Sequence, residues 1–101
     1  CGFDASGVDP LSRMLCGSDT FAEMTNALMQ ITGNRLVMAH EGGYSEVHVP
    51  FCGHSVLDQL SGSSVTADDP LRARILGQQP DDSLNQLQAK RIDDIAGLHH
   101  L

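Results

Sequence analysis

An aspartate and a tyrosine stand out because each follows a short apolar segment that resembles the end of a β-strand. Asp4 comes directly after Phe3, and Tyr44 follows the apolar run 36–39 and two glycines. Functional groups of open α/β sheets lie where strands end, so we expect Asp4 and Tyr44 to face one pocket. A carboxylate and a phenol in one pocket predict metal-assisted attack on a carbonyl group.

Each of these residues also has an ordinary structural interpretation. Asp4 could cap a helix or close an Asx-turn, and Tyr44 could simply pack on a neighbouring element. Glu41 is expected to be structural rather than a nucleophile. The turn that it forms with Gly42 and Gly43 lacks the G-x-G-x-x-G spacing of a phosphate-binding loop.

The histidines and cysteines predict no further site by their spacing. No histidine pair has H-E-x-x-H spacing, so we expect all five histidines to be structural or solvated. Cys16 and Cys52 have no identifiable base nearby in the sequence and are expected to be small buried or loop residues. Three cysteines without C-x-x-C spacing are typical of reduced thiols in a cytoplasm. The histidines are His40, His48, His54, His99 and His100.

The composition excludes some classes of partner. The chain has 101 residues and a formal net charge of −7, whereas nucleic-acid binding rests on clustered lysine and arginine. An acidic field suits a cationic substrate or partner better. No apolar stretch is long enough for a transmembrane helix, and no signal-peptide pattern opens the sequence. We therefore expect a cytoplasmic protein without a nucleic-acid or membrane partner.

The first half of the chain predicts part of an α/β unit. Thr20 and Glu23 form a capping box, and Ser18-Asp19 just before it are alternative caps. The helix that follows places apolar residues on one face and stops at Gly33. These apolar residues are Phe21, Met24, Leu28 and Ile31. Residues 36–39 are a continuous apolar run, which predicts a strand buried on both faces. Helix, buried strand and glycine-rich exit together predict half of a βαβ unit.

The whole chain divides into three parts. Residues 1–62 carry the motifs and include a second helix that starts near Pro50 and ends at Gly62. Residues 63–80 are a polar connector with a short helical turn at 72–76, and residues 81–97 form a terminal helix. Its expected buried face is formed by Leu84, Leu87, Ile92 and Ile95. With one complete strand candidate, the chain is expected to be a C-terminal piece of a larger catalytic domain.

Three motifs in a fixed order point to a known family. Gly2-Phe3-Asp4-Ala5, Asp9-Pro10-Leu11 and Glu41-Gly42-Gly43-Tyr44 closely resemble the C-terminal third of the histone deacetylase superfamily. The continuation 45–54, Ser-Glu-Val-His-Val-Pro-Phe-Cys-Gly-His, is most similar to its bacterial class II members, the histone deacetylase-like amidohydrolases. The resemblance runs from the first residue to about Leu60.

The resemblance implies an arginase-like α/β fold with a mainly parallel sheet, flanking helices and a catalytic zinc bound by two aspartates and one histidine. Asp4 matches the second of these aspartates, and Tyr44 matches the catalytic tyrosine. Leu11 matches a residue that lines the narrow acyl tunnel. Gly42 and Gly43 match the glycine pair beside that tunnel.

The resemblance also implies that part of the site lies elsewhere. The family's Asp-x-His ligand segment and its His-His general-base pair have no match here, so the isolated piece is expected to lack activity. The complete polypeptide is expected to be a zinc-dependent deacetylase of acetyl-amides such as acetyl-lysine or acetylpolyamines. Its expected partners are an acetylated amine, the remainder of the catalytic domain and a second copy in a homo-oligomer. Alternatives are a truncated, non-catalytic paralogue that acts as a binding or assembly module, and a small acidic interaction domain without metal.

Overall fold

The regular secondary structure is helical. The computed structural model describes residues 1–11 and 13–99. It contains helices α1 (Ser18–Thr32), α2 (Val49–Ser61), α3 (Arg72–Leu76) and α4 (Asp82–Leu98). Within these described ranges there is no strand, and an isolated parallel bridge pairs Ser6 with Cys16. The predicted parallel sheet is therefore not confirmed.

The start of the chain nevertheless lies alongside the segment that precedes Tyr44. The amino group of Cys1 donates to the Ala39 carbonyl at 2.7 Å, and the Cys1 carbonyl accepts from the Glu41 amide at 3.0 Å. The Phe3 amide then donates to the Gly42 carbonyl at 2.8 Å. The first two bonds follow the pattern of parallel neighbours, and the third is shifted by one residue along the second segment. This pairing brings the first motif next to the third.

The expected burial of residues 36–39 is wrong. Val37 is 96% exposed, while Met38 packs against the core. A strand is buried on both faces only where other elements cover both faces. Here α1 and α2 cover one face of the segment, and the described residues place nothing over Val37.

The core joins α1 and α2 to the start of the chain. Its buried members are Phe3, Phe21 of α1, and Cys52 and Val56 of α2. The rings of Phe3 and Phe21 meet edge to face, with centroids 5.1 Å apart and planes at 77°. Such aromatic pairs add to the free energy gained from apolar burial. The residue before Asp4 is therefore a core anchor.

The predicted helix ends are confirmed more often than the predicted starts. Gly33 closes α1 and Gly62 closes α2, both in the left-handed conformation, at φ 59° and 65°. Pro50 lies in the first turn of α2, as predicted. The capping box is wrong, because α1 begins at Ser18 after Gly17 without a side-chain cap. The Ser18 hydroxyl instead donates to Asp69 at 2.7 Å, a long-range bond that ties the start of α1 to the connector.

The expected apolar faces of α1 and α4 are largely exposed. In α1, Phe21 is buried whereas Ile31 is 81% exposed. No residue of α4 is buried, although its apolar spacing correctly predicted a helix. Apolar periodicity predicts where a helix forms, but burial also needs an opposing surface. None of the helices in the described ranges is long and apolar enough to cross a membrane.

Candidate functional site

Two glycines leave room for the Asp4 carboxylate. Asp4 is exposed, and its carboxyl group lies against the backbone of Gly2 and Gly42. A β-carbon placed on Gly42 would lie 2.9 Å from Asp4 Cγ, and one on Gly2 would lie 2.9 Å from Asp4 Oδ1. Any side chain at either position would displace the carboxylate. The glycines therefore allow the acidic group to lie against the backbone here.

Gly43 is required for a different reason. Its φ of 128° is a conformation that residues with a side chain rarely adopt. A β-carbon there would also lie 2.9 Å from Phe3 Cβ and 3.0 Å from Val49 Cγ2. The backbone thus passes tightly over the core just before Tyr44.

The Asp9 carboxylate joins two of the predicted site residues. Its Oδ1 accepts from the Leu11 amide at 2.9 Å, and its Oδ2 accepts from the Tyr44 amide at 2.6 Å. Asp9 is 7% exposed. In the sequence, Asp9 is only part of the Asp9-Pro10-Leu11 motif, and its contact with Tyr44 was not predicted. An aspartate before proline signals an Asx-turn, but nothing local specifies a partner 35 residues away.

The side chains of Tyr44 and Leu11 both face outward. Tyr44 is 55% exposed and Leu11 is 66% exposed. Tyr44 borders a shallow cavity of about 550 Å³, and Asp4 is not among the residues that line it. The structure thus brings the backbones of the three motifs together and leaves the predicted side chains accessible. The cavity is lined by Gly43, Tyr44, Ser45, Glu46, Val49 and Pro50.

A second polar cluster lies in the interior. His48 is fully buried, with Nδ1 2.5 Å from Ser6 Oγ and Nε2 donating to Asp69 Oδ2 at 2.9 Å. Ser18 donates to the same carboxylate oxygen. Although serine, histidine and aspartate are in contact, Ser6 is also fully buried and cannot reach a substrate. The cluster therefore holds the fold together.

Burial and hydrogen bonds shift the pKa values of Asp69 in this cluster and of the neighbouring Cys52. Burial raises the pKa of Asp69, but hydrogen bonds from Ser18, His48 and the Leu71 amide outweigh it, and the pKa lies below its ordinary value. Burial, followed by the negative charge of Asp69, raises the pKa of the Cys52 thiol to about 12. A neutral thiol is a poor nucleophile. Cys52 is therefore a buried structural residue, as expected.

The remaining histidines form local contacts. His54 lies 3.1 Å from the Asp58 carboxylate one helical turn away, and the His40 ring packs against Phe3 at a centroid distance of 5.1 Å. His100 of the terminal pair lies outside the described residues. These contacts give His54 and His40 local partners within the fold.

The donor set fits a zinc ion only in part. Zinc sites use three or four protein ligands. Residues 1–11 and 13–99 contain no group of three or more histidine, cysteine, aspartate or glutamate side chains that could hold a metal. The Asp4 carboxylate has no hydrogen bond or ion pair with any described residue, so it is free to act as one ligand.

Comparison with known proteins agrees with the motifs. Residues 1–60 match the histone deacetylase domain. A histone deacetylase-like amidohydrolase of Pseudomonas aeruginosa is 48% identical over 99 residues, which cover 94% of this chain and 26% of that protein. Histone deacetylase 6 of Caenorhabditis elegans is 34% identical over 64 residues, or 63% of this chain and 7% of that protein. The chain spans about a quarter of the length of the Pseudomonas relative. It belongs to the histone deacetylase domain family.

Proposed function

We propose that this chain supplies one metal ligand and the oxyanion-stabilising tyrosine of a zinc-dependent deacetylase that hydrolyses acetyl-amides of the acetyl-lysine or acetylpolyamine type. The observation that carries the proposal is the turn after Glu41. Its Gly42 lies against the Asp4 carboxylate, and two residues later the Tyr44 amide is bound by Asp9. Family membership supports the same chemistry.

Each residue has a defined task in this reaction. Asp4 would occupy one coordination position of the zinc, which when bound polarises the amide and lowers the pKa of water. The Tyr44 hydroxyl donates a hydrogen bond to the substrate carbonyl oxygen as negative charge develops there. Leu11, Gly42 and Gly43 line the path of the acyl chain. The glycines suit this position because they let the substrate approach the backbone closely.

The other ligands and the general base would come from outside these residues. The isolated chain is therefore expected to be inactive, whereas the complete polypeptide turns over an acetylated amine. Residues 1–62 form the part of the catalytic domain that bears the motifs. The free cysteines favour a cytoplasmic enzyme, and the similarity to the Pseudomonas aeruginosa relative favours a bacterial type.

The test is a fluorogenic acetyl-lysine assay combined with zinc stoichiometry, on residues 1–101 and on the longest reading frame that contains them. Tyr44→Phe is expected to lower kcat of the long form by about 10²–10³-fold, the usual loss for one oxyanion donor. Circular dichroism checks that the variant folds. Unchanged kcat in Tyr44→Phe contradicts the role of the hydroxyl, and turnover with stoichiometric zinc by residues 1–101 contradicts the need for outside ligands.

A second candidate is a non-catalytic binding or assembly module. The exposed apolar side chains of α4 favour it, because Leu87 and Ile95 are each more than half exposed and no other described part of the chain covers them. In that case the long form would neither bind zinc nor turn over substrate. It would instead associate with other chains, as a homo-oligomer does, and light scattering would detect this.

A further inference from the structure

The Asp9 carboxylate holds the backbone of Tyr44 in place. Resting on the function proposed above, we infer that Asp9 is a positioning residue of the deacetylase reaction. It binds the Tyr44 amide through Oδ2 and thereby sets where the phenol hydroxyl meets the substrate carbonyl. Asp9 does not itself touch the substrate.

The geometry of Asp9 makes it a firm anchor. Its two oxygens accept bonds of 2.9 Å and 2.6 Å from backbone amides, and bonds to a charged carboxylate are stronger than neutral ones. Its own amide donates to the Ser6 carbonyl at 3.0 Å. The Ser6 side chain in turn contacts the buried His48. Asp9 is therefore tied to the interior of the fold.

Tyr44 needs such an anchor because little else holds it. Two glycines precede it, and glycine restricts the backbone least of all residues. Its side chain is 55% exposed, so packing alone does not fix the ring. A displacement of about 1 Å at a reacting group can cost about 10²-fold in rate. The hydrogen bond from the Tyr44 amide to Asp9 thus determines whether the phenol hydroxyl lies where it can meet the substrate carbonyl.

The same carboxylate also binds the Leu11 amide, so the predicted tunnel residue and the tyrosine share one support. An asparagine has a single acceptor oxygen and turns an N–H₂ group toward the other amide. Asp9→Asn therefore loses at least one of the two bonds while it keeps the size of the side chain.

The experiment is a double-mutant cycle of Asp9→Asn and Tyr44→Phe in the longest reading frame that contains this chain. Asp9→Asn alone is expected to lower kcat by about 10–10²-fold. In the Tyr44→Phe background it is expected to change kcat by less than about threefold, because coupled residues are not additive. An equal loss in both backgrounds, or unchanged kcat in a folded Asp9→Asn variant, overturns the inference.

A matched control separates positioning from general stability. Asp69→Asn removes an acceptor from a similar buried aspartate that does not contact Tyr44, and it is expected to leave kcat within about threefold. If Asp69→Asn does not fold, Ser18→Ala replaces it. Loss of kcat in either control as large as in Asp9→Asn contradicts a specific role.

A spectroscopic readout keeps this inference separate from the proposed function. The Tyr44 amide proton resonates downfield when it is bonded to a carboxylate, and Asp9→Asn is expected to shift it upfield in a ¹⁵N-labelled sample. If the wild-type long form is inactive, the proposed function fails while an upfield shift still supports the anchor. An unchanged Tyr44 resonance in Asp9→Asn overturns it.

Discussion

Two Asp-Pro-Leu tripeptides, at residues 9–11 and 69–71, share a local structure and differ in their distant partners. In both, Oδ1 of the aspartate accepts from the leucine amide two residues later at 2.9 Å. The second oxygen of Asp9 binds the Tyr44 amide, whereas that of Asp69 binds the side chains of Ser18 and His48.

The comparison shows that one turn serves the candidate site and the other serves the core. The tripeptide fixes the Asx-turn, because its local bond needs only the aspartate and the amide two residues later. The fold decides what the remaining oxygen meets. Together the two aspartates hold the chain between Tyr44 and His48 at both ends, one at the backbone and one at the buried ring.

The largest effect on stability is expected at the core turn. Asp69→Asn takes a charged acceptor from both the buried His48 and Ser18, and each buried polar group left unsatisfied typically costs about 1–3 kcal/mol in the free energy of unfolding. Ser18→Ala removes a donor to the same oxygen and is expected to cost about 1 kcal/mol. Urea unfolding measures both. Equal urea midpoints for Asp69→Asn and the wild type contradict the role given to this turn.

A smaller loss of stability is expected at Gly43, next to the Tyr44 amide that Asp9 binds. Gly43→Ala places a β-carbon at φ 128° and against Phe3, which is expected to cost about 1–3 kcal/mol of unfolding free energy. The matched control is Gly62→Ala, which has a positive φ but no atom within 4 Å of the added β-carbon. If both substitutions lower the urea midpoint equally, the close approach to Phe3 is not a source of strain.

A pH titration tests the contribution of the Asp69 turn without a mutation. The pKa of Asp69 is lowered in the folded state, so the unfolded chain binds a proton there more readily. The stability that Asp69 contributes is therefore present above its unfolded pKa of about 3.9 and is lost as the pH falls through its folded pKa. We expect the unfolding free energy to fall below about pH 4 and to fall less steeply in Asp69→Asn. Parallel pH profiles would contradict this.

The smallest effect on stability is expected at Gly42. The β-carbon of Gly42→Ala meets the end of the Asp4 side chain, which can swing toward solvent, so the unfolding free energy is expected to change by less than about 0.5 kcal/mol. The carboxylate would nevertheless be displaced, and zinc affinity of the long form is expected to fall. Zinc titration against a competing chelator measures this. Zinc affinity equal to that of the wild type would show that the Asp4 position does not matter.

The local parts of the fold could be predicted from the sequence, whereas the long-range contacts could not. Gly33, Pro50 and Gly62 act through their own backbone preferences, so the helix ends that they mark were predicted correctly. The capping box failed because α1 begins at Ser18, two residues before Thr20, and the Ser18 hydroxyl binds Asp69, which is 51 residues away. The expected burial of residues 36–39 was wrong because burial depends on what covers the segment.

The candidate site shows the same division. The motifs placed Asp4 and Tyr44 on neighbouring segments, and the bonds that pair Cys1 and Phe3 with residues 39–42 bring those segments side by side. The supporting residues Asp9 and Asp69 were missed. Their one signal was the repeated Asp-Pro-Leu tripeptide, which indicates a turn and says nothing about the second oxygen.

Amide hydrogen exchange in Asp9→Asn and Asp69→Asn, read at the amides of Tyr44 and Cys52, tests the division between the two turns most directly. Asp9→Asn is expected to speed exchange at Tyr44 while Cys52 stays protected. Asp69→Asn is expected to speed exchange at Cys52, which follows the released His48 by one helical turn. If Asp9→Asn leaves Tyr44 as protected as in the wild type, or if both variants release both amides equally, the two turns do not have separate tasks.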